Sequence, residues 1–158
     1  MRIGALTLSL LLTLQPALAL QISAPQVKVM HHATGTFEVK IKPEPLSDVA
    51  SPANLGRMSI DKQFHGALEA TSKGEMLSVL DKEKGSGGYV ALERVTGTLD
   101  GKTGSFVLQH TATMNRGVPQ LSVTVVPDSG TGDLTGITGS MNIIIEAGKH
   151  SYEFAYSL

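Results

Sequence analysis

The stretch that most constrains the fold is GTGDLTGITGSMNIII, residues 130–145. Four glycines punctuate it, and three consecutive isoleucines close it. Glycine supplies the positive φ angles that tight turns need, and β-branched residues favour strands. The stretch therefore predicts a loop that leads into a long strand. The chain after residue 33 likewise consists of short alternating runs separated by glycine-containing turns, and it shows no helical periodicity. We therefore predict an all-β domain.

Alternation of apolar and polar residues predicts eight strands, at residues 34–42, 56–65, 68–80, 88–99, 104–114, 120–127, 134–146 and 150–158. The alternation is clearest in TGTFEVKIK, where Phe37, Val39 and Ile41 share one face. Eight antiparallel strands remove their exposed edges if they close into a ring. We therefore predict an eight-stranded antiparallel barrel, whose interior is wide enough for side chains or one small ligand.

The dipeptide His65-Gly66 separates two alternating runs and predicts a two-residue hairpin turn. A turn of this length places Phe64 opposite Ala67, and Lys62 then lies opposite Glu69. We expect Lys62 and Glu69 to form an ion pair on the outside of the barrel, where such a pair contributes less than about 1 kcal/mol.

The first residues have the pattern of a bacterial export signal. Arg2 precedes an apolar run, residues 3–14, and Ala17-Leu18-Ala19 fits a cleavage site. The run is shorter than the roughly 20 residues that span a bilayer. We therefore predict a signal peptide at 1–19, a tether at 20–32 and a barrel domain at 33–158, in a periplasmic or secreted protein. If translation starts at Met30 instead, the protein is cytoplasmic.

Composition argues against several kinds of partner. The net charge is −1 at pH 7, whereas binding to nucleic acid or anionic membranes needs a basic excess. The chain has no cysteine, and the adjacent His31-His32 point to opposite faces of a strand, so we expect no metal. Gly101-Lys102-Thr103 resembles the end of a P-loop, but Thr96 stands where that motif needs glycine. We expect no cofactor, no nucleic-acid partner and no stable membrane insertion after signal removal, and a homo-oligomer is compatible with the sequence.

Five segments together resemble a known family: MHHATGTFEVKIKPEP, GRMSIDKQFHGALEATSKGEML, GYVALERVTGTLDGKTGSFVLQHTATM, PQLSVTVVPDSGTGDLTGITGSM and GKHSYEFAYSL. They span Met30 to the C-terminus and resemble the bacterial family called domain of unknown function 3224. The resemblance implies an eight-stranded barrel similar to those of plant allene oxide cyclases and dirigent proteins. These proteins isomerise a fatty-acid epoxide or steer the coupling of phenoxy radicals inside the barrel cavity. Either activity extends to this chain by analogy of fold alone.

Glu93 and His110 form the best candidate pair. Each lies on the apolar face of a strand, and Asp100-Gly101 joins the two strands. A four-residue loop places Glu93 directly opposite His110, and a two-residue loop displaces them on the same face. Such a pair either transfers protons or orients a polar ligand, as candidate catalytic residues, or is a satisfied ion pair that fixes the strand register. The predicted ligand-binding residues are Tyr89, Glu93, Phe106, Leu108, His110 and Met114.

Three functions are compatible with this barrel. The first is binding of a small, mostly apolar molecule in the cavity, with Glu93 and His110 as polar contacts. The second is an isomerase or cyclase for a small hydrophobic substrate, which uses the same pair as acid and base. The third is a structural module with a filled barrel, which an open cavity would argue against. The alternating Tyr152, Phe154 and Tyr156 either line the cavity or belong to the core.

Overall fold

The structure is a computed structural model, and it describes residues 28–158. The predicted signal peptide and most of the predicted tether lie outside the described residues. The strands are β1 His31–Glu44, β2 Gly56–Gly66, β3 Leu68–Asp81, β4 Ser86–Leu99, β5 Lys102–Asn115, β6 Val118–Val125, β7 Thr131–Gly132, β8 Thr138–Glu146 and β9 Lys149–Ser157. The described residues include one 3₁₀ turn, Ser51–Ala53, and contain no helix long and apolar enough to cross a membrane.

The eight long strands form a closed antiparallel barrel, in the order β4-β3-β2-β1-β9-β8-β6-β5, with β5 pairing back to β4. This confirms the predicted fold. The short β7 pairs with the start of β5. Most neighbouring strands share long ladders, but β6 and β8 share one pair, Thr124 with Ser140. The barrel therefore has one weak seam.

Connections alternate between the two ends of the barrel. The β2–β3 and β4–β5 turns, together with the loop from β6 to β8, lie at one end, which we call the closed end. The long loop after β1 and the turns after β3, β5 and β8 lie at the other, which we call the open end. Because the strands run antiparallel, each strand contributes residues to both ends.

The β4–β5 hairpin has a two-residue loop. Asp100 and Gly101 have φ angles of 47° and 80°, and Leu99 pairs with Lys102. Positive φ at both loop positions is the geometry of a type I′ turn. Of the two registers weighed for this hairpin, the structure therefore has the one that displaces Glu93 from His110.

The predicted register of the β2–β3 hairpin is wrong. Phe64 pairs with Ala70 rather than Ala67, because the Ala67 N–H donates to Thr34 O of β1 instead of closing a tight turn. Gly66, with a φ of 105°, allows a wider connection between β2 and β3. As a result, Lys62 is buried inside the barrel, and no ion pair with Glu69 forms on the outside.

The predicted strand at residues 134–146 starts too early. Residues 133–136 form turns, and β8 begins only at Thr138. Leu134 and Ile137 are buried in the hydrophobic core, where they plug the closed end. The glycine-rich segment thus forms β7 and a plug before it becomes a strand. Strand β1 also starts earlier than predicted, because His31 pairs with Tyr156 of β9.

Aromatic side chains fill the closed end. Phe106 stacks on Phe154 with ring centroids 5.6 Å apart, and Phe154 stacks on Tyr156 at 5.3 Å. Tyr152 packs edge-on against Phe64 at 5.7 Å. All five side chains are buried, so the aromatic row of the last strand belongs to the core.

Candidate functional site

A buried polar cluster lies in the middle of the barrel, and Glu93 is its centre. Glu93 Oε1 accepts hydrogen bonds from Lys62 Nζ at 2.7 Å and from His110 Nε2 at 2.8 Å. Glu93 Oε2 accepts a hydrogen bond from Ser72 Oγ at 2.7 Å. The four residues come from four adjacent strands, β2 to β5, and all are buried. We call these residues the polar cluster.

The strand register explains why these side chains meet. Ala91 pairs with His110, so His110 lies diagonally from Glu93 on the same inward face. On the other side, Gly74 of β3 pairs with Glu93. A Cβ atom at Gly74 would lie 2.2 Å from Leu92 O and 2.7 Å from the Glu93 Cα atom. No side chain fits there, and this close approach keeps β3 tight against the Glu93 backbone.

Lys62 is held by aromatic rings as well as by Glu93. Its Nζ atom lies 5.0 Å from the centre of the Phe37 ring and 5.7 Å from that of Phe64. A cation over an aromatic face is attracted by the negative face of the ring. These contacts compensate for part of the cost of removing the ammonium group from water.

The cluster strongly favours the charged form of Glu93. Burial opposes its ionisation, but the hydrogen bond from His110 and the charge of Lys62 outweigh that effect. Together they lower the pKa of Glu93 from 4.5 to about 2. Since Glu93 is then an anion at neutral pH, His110 Nε2 carries the proton in their hydrogen bond. The cluster is a satisfied ion pair, and among the described residues no buried side-chain nitrogen or oxygen lacks a partner.

A concavity of about 340 Å³ lies between the polar cluster and the open end of the barrel. We call it the barrel mouth. Its apolar walls come from the inward faces of β3 to β6, and they include Met76, Leu80, Tyr89, Ala112, Met114 and Leu121. The size is within the range of small-molecule sites, about 300–1,000 Å³.

The predicted ligand-binding residues do not converge on a single place. Tyr89 and Met114 line the barrel mouth. Glu93 and His110 lie deeper, in the polar cluster, whereas Phe106 and Leu108 are fully buried in the hydrophobic core. The predicted common inward face is therefore present, but its residues are spread along the barrel axis.

The sequence analysis missed two members of the polar cluster, Lys62 and Ser72. The wrong register of the β2–β3 hairpin placed Lys62 on the outside, and Ser72 was not singled out. The correct signal is in the sequence: Ile60, Lys62 and Phe64 alternate, so Lys62 shares the face of two buried apolar residues. That alternation was a better guide than the dipeptide at the turn.

A further concavity lies outside the barrel interior. A groove of about 570 Å³ on the outer wall lies between the loop after β1 and the outward side chains Leu77, Val90 and Leu92. In the described part of the chain, no three metal-ligating side chains of the histidine, cysteine, aspartate or glutamate types come together. His31 stacks on Tyr156, with ring centroids 5.2 Å apart.

Comparisons with other proteins place this architecture in a family. The sequence profile of the family described as Protein of unknown function (DUF3224) matches residues 33–156. A crystal structure of a protein with unknown function from the same family, from Shewanella oneidensis MR-1, is 51% identical in sequence, with a TM-score of 0.74. The match covers 81% of this chain and 97% of that chain. No curated protein matches the chain. The chain therefore belongs to the DUF3224 family.

Proposed function

We propose that this protein binds a small, mostly apolar molecule in the barrel mouth. The observation that carries the proposal is a set of apolar side chains that face inward yet stay exposed. Met114 is 41% exposed and Leu121 is 44% exposed. Both line the mouth, and each lies on the same face of its strand as a row of buried residues.

The two ends of the barrel differ in how their interior positions are filled. At the closed end, inward apolar side chains are covered by the plug and by one another. At the open end, Ile41 continues the inward row of Phe37 but is 52% exposed. Covering a half-exposed side chain of this kind yields on the order of 1 kcal/mol. Met114 and Leu121 line the mouth, so a ligand that covers them gains free energy of this order from each.

The polar cluster gives the mouth a rigid floor. Its charges are paired, and its hydrogen bonds join four strands beneath the mouth. Acid–base catalysis by the pair has less support than binding, because a carboxyl group with a pKa of about 2 is a poor proton donor or acceptor near neutral pH. The open mouth argues against a completely filled structural barrel.

The test is binding of N-phenyl-1-naphthylamine, an uncharged dye that becomes fluorescent in apolar surroundings. Ala112 lines the mouth opposite Tyr89, so Ala112→Trp fills the cavity. Its neighbour Thr111 is exposed on the outer face, and Thr111→Trp is the matched control. We expect Ala112→Trp to weaken dye binding at least about tenfold, while Thr111→Trp binds like the wild type.

Absence of saturable dye binding to the wild type would contradict the proposal, as would equal binding by both tryptophan variants. Circular dichroism and melting curves show whether each variant is folded. Native mass spectrometry of protein purified from its source cell provides a second measurement. We expect a retained small molecule in the wild type, and its loss in Ala112→Trp.

A further inference from the structure

The lining of the barrel mouth contains no aspartate, glutamate, lysine, arginine or histidine among the described residues. Its polar side chains are hydroxyls and one amide, and they include the hydroxyl of Tyr89, which lies on the same inward face of β4 as Glu93. In the described part of the chain, that hydroxyl has no hydrogen-bond partner. The mouth therefore offers an apolar wall with a few uncharged hydrogen-bonding groups, and the Tyr89 hydroxyl is one of them.

The charged groups of the polar cluster, at the floor of the mouth, are already paired. Lys62 donates to Glu93 and lies over two phenyl rings, so its ammonium is not available to an incoming anion. Glu93 in turn has both carboxylate oxygens engaged, so it cannot readily receive a cation. A charged ligand head would lose its hydration and gain no counterion here, which is a large cost.

We infer that the barrel mouth selects uncharged amphipathic molecules, such as alcohols, ketones or esters, and that the Tyr89 hydroxyl donates a hydrogen bond to their oxygen. This inference rests on the proposed function and specifies the ligand class for the same site. The Tyr89 side chain reaches the mouth from β4, opposite Ala112. Burial and the charge of Glu93 raise the pKa of Tyr89, so its hydroxyl remains protonated and can donate.

The experiment uses displacement of the bound dye by three amphiphiles with ten-carbon chains. They are 1-decanol, kept below its solubility limit, and decanoate and decyltrimethylammonium, each kept below its micelle concentration at neutral pH. We expect 1-decanol to displace the dye at a concentration at least about tenfold lower than either charged amphiphile. Decanoate or decyltrimethylammonium binding as tightly as 1-decanol would overturn the inference while leaving the proposed site intact.

The role of Tyr89 is tested with Tyr89→Phe, which removes a single oxygen atom. The matched control is Thr111→Val, which removes an exposed hydroxyl from the outer face of β5. We expect Tyr89→Phe to weaken 1-decanol binding about 3- to 10-fold, and Thr111→Val to have no effect. Unchanged 1-decanol binding by Tyr89→Phe would overturn the assignment of Tyr89. If the wild type does not bind the dye at all, the proposed function itself fails.

Discussion

Glu93 is a buried charge whose two oxygens receive three hydrogen bonds, so its partners are coupled energetically. Removing one member of a buried ion pair leaves the other charge without compensation, which costs about 3–5 kcal/mol. We expect Lys62→Met to lower the free energy of unfolding by about this amount. The double variant Lys62→Met/Glu93→Gln should regain part of the loss, because it removes both charges. Urea unfolding of the wild type and the variants measures this.

The control for that prediction is an ion pair on the outer surface of the same sheet. Lys73 lies 2.7 Å from Asp61, and both side chains are exposed. Such pairs contribute about 0–1 kcal/mol, so Lys73→Met should change stability little. Equal effects of Lys62→Met and Lys73→Met would contradict the view that the polar cluster supports the barrel.

The same carboxylate makes stability depend on pH. The pKa of Glu93 falls from 4.5 in the unfolded chain to about 2 in the folded protein. Its ionised form therefore stabilises the fold above pH 4.5, and the contribution is lost as the pH falls toward 2. Between these limits, the wild type should lose roughly 3 kcal/mol more than Glu93→Gln. Chemical unfolding of both proteins across this range tests it, and parallel pH curves would contradict it.

Gly132 and Gly136, in the glycine-rich segment before β8, allow backbone strain to be distinguished from steric exclusion. Gly132 and Gly136 have φ angles of 60° and 79°, which side chains rarely adopt. A Cβ atom at Gly132 would also lie 2.7 Å from Thr103 O, whereas none would meet an obstacle at Gly136. We expect both valine variants to be destabilised by more than about 1 kcal/mol, and Gly132→Val to be the worse. Thermal melting gives the ranking, and wild-type melting of Gly132→Val would refute it.

At the level of the strands, the seam between β6 and β8 is the place where the barrel is least tied together. Its one pair, Thr124 with Ser140, contrasts with the ladder of β3 and β4, which runs from Leu68–Leu99 to Asp81–Ser86. Unpaired amide hydrogens at strand edges exchange with solvent more readily than those in a continuous ladder.

Native-state hydrogen exchange should reveal this seam. Between residues 118 and 123 of β6, and between 141 and 146 of β8, alternate amides point toward the partner strand without pairing. We expect these amides to exchange faster than those of the β3–β4 ladder. Uniform protection of the two regions would show that the seam is closed in solution.

The hairpins show which strand features follow from local sequence. The turn at Asp100-Gly101 was located correctly, and of the two loop lengths weighed the structure has the shorter, because the dipeptide itself adopts the two positive φ angles of the turn. His65-Gly66 was not, because the register is set by the Ala67 N–H bond to Thr34 of another strand. Residues 134–137 have strand-like composition but bury their apolar side chains as a plug. Contacts that are distant in sequence override local pattern in both failures.

On the scale of the whole molecule, the barrel class and the family resemblance follow from the sequence, and both are confirmed. The wider similarity to allene oxide cyclases and dirigent proteins remains a prediction. Alternation also placed Glu93 and His110 on one inward face. It could not show which depths of the barrel are filled, since that depends on ring closure and on the plug. The candidate residues were therefore assigned to the correct, inward face. They were assigned to a single site, however, whereas in the structure they belong to the mouth, the polar cluster and the hydrophobic core.

The two ends of the barrel should respond independently to substitution. Leu134 is 1% exposed in the plug of the closed end, so Leu134→Ala leaves a void there. We expect it to lower the free energy of unfolding by about 2–5 kcal/mol without changing the affinity for N-phenyl-1-naphthylamine. Ala112→Trp at the mouth should show the reverse, with lost dye binding and a smaller change in stability.

The polar cluster explains why the effects should separate. Its hydrogen bonds join the adjacent strands β2, β3, β4 and β5 between the plug and the mouth, so we expect a void in the plug to leave the mouth unchanged. Dye titrations and urea unfolding of Leu134→Ala and Ala112→Trp measure both properties on the same proteins. If Leu134→Ala weakens dye binding as strongly as Ala112→Trp, the interior is one continuous cavity and the cluster does not divide it.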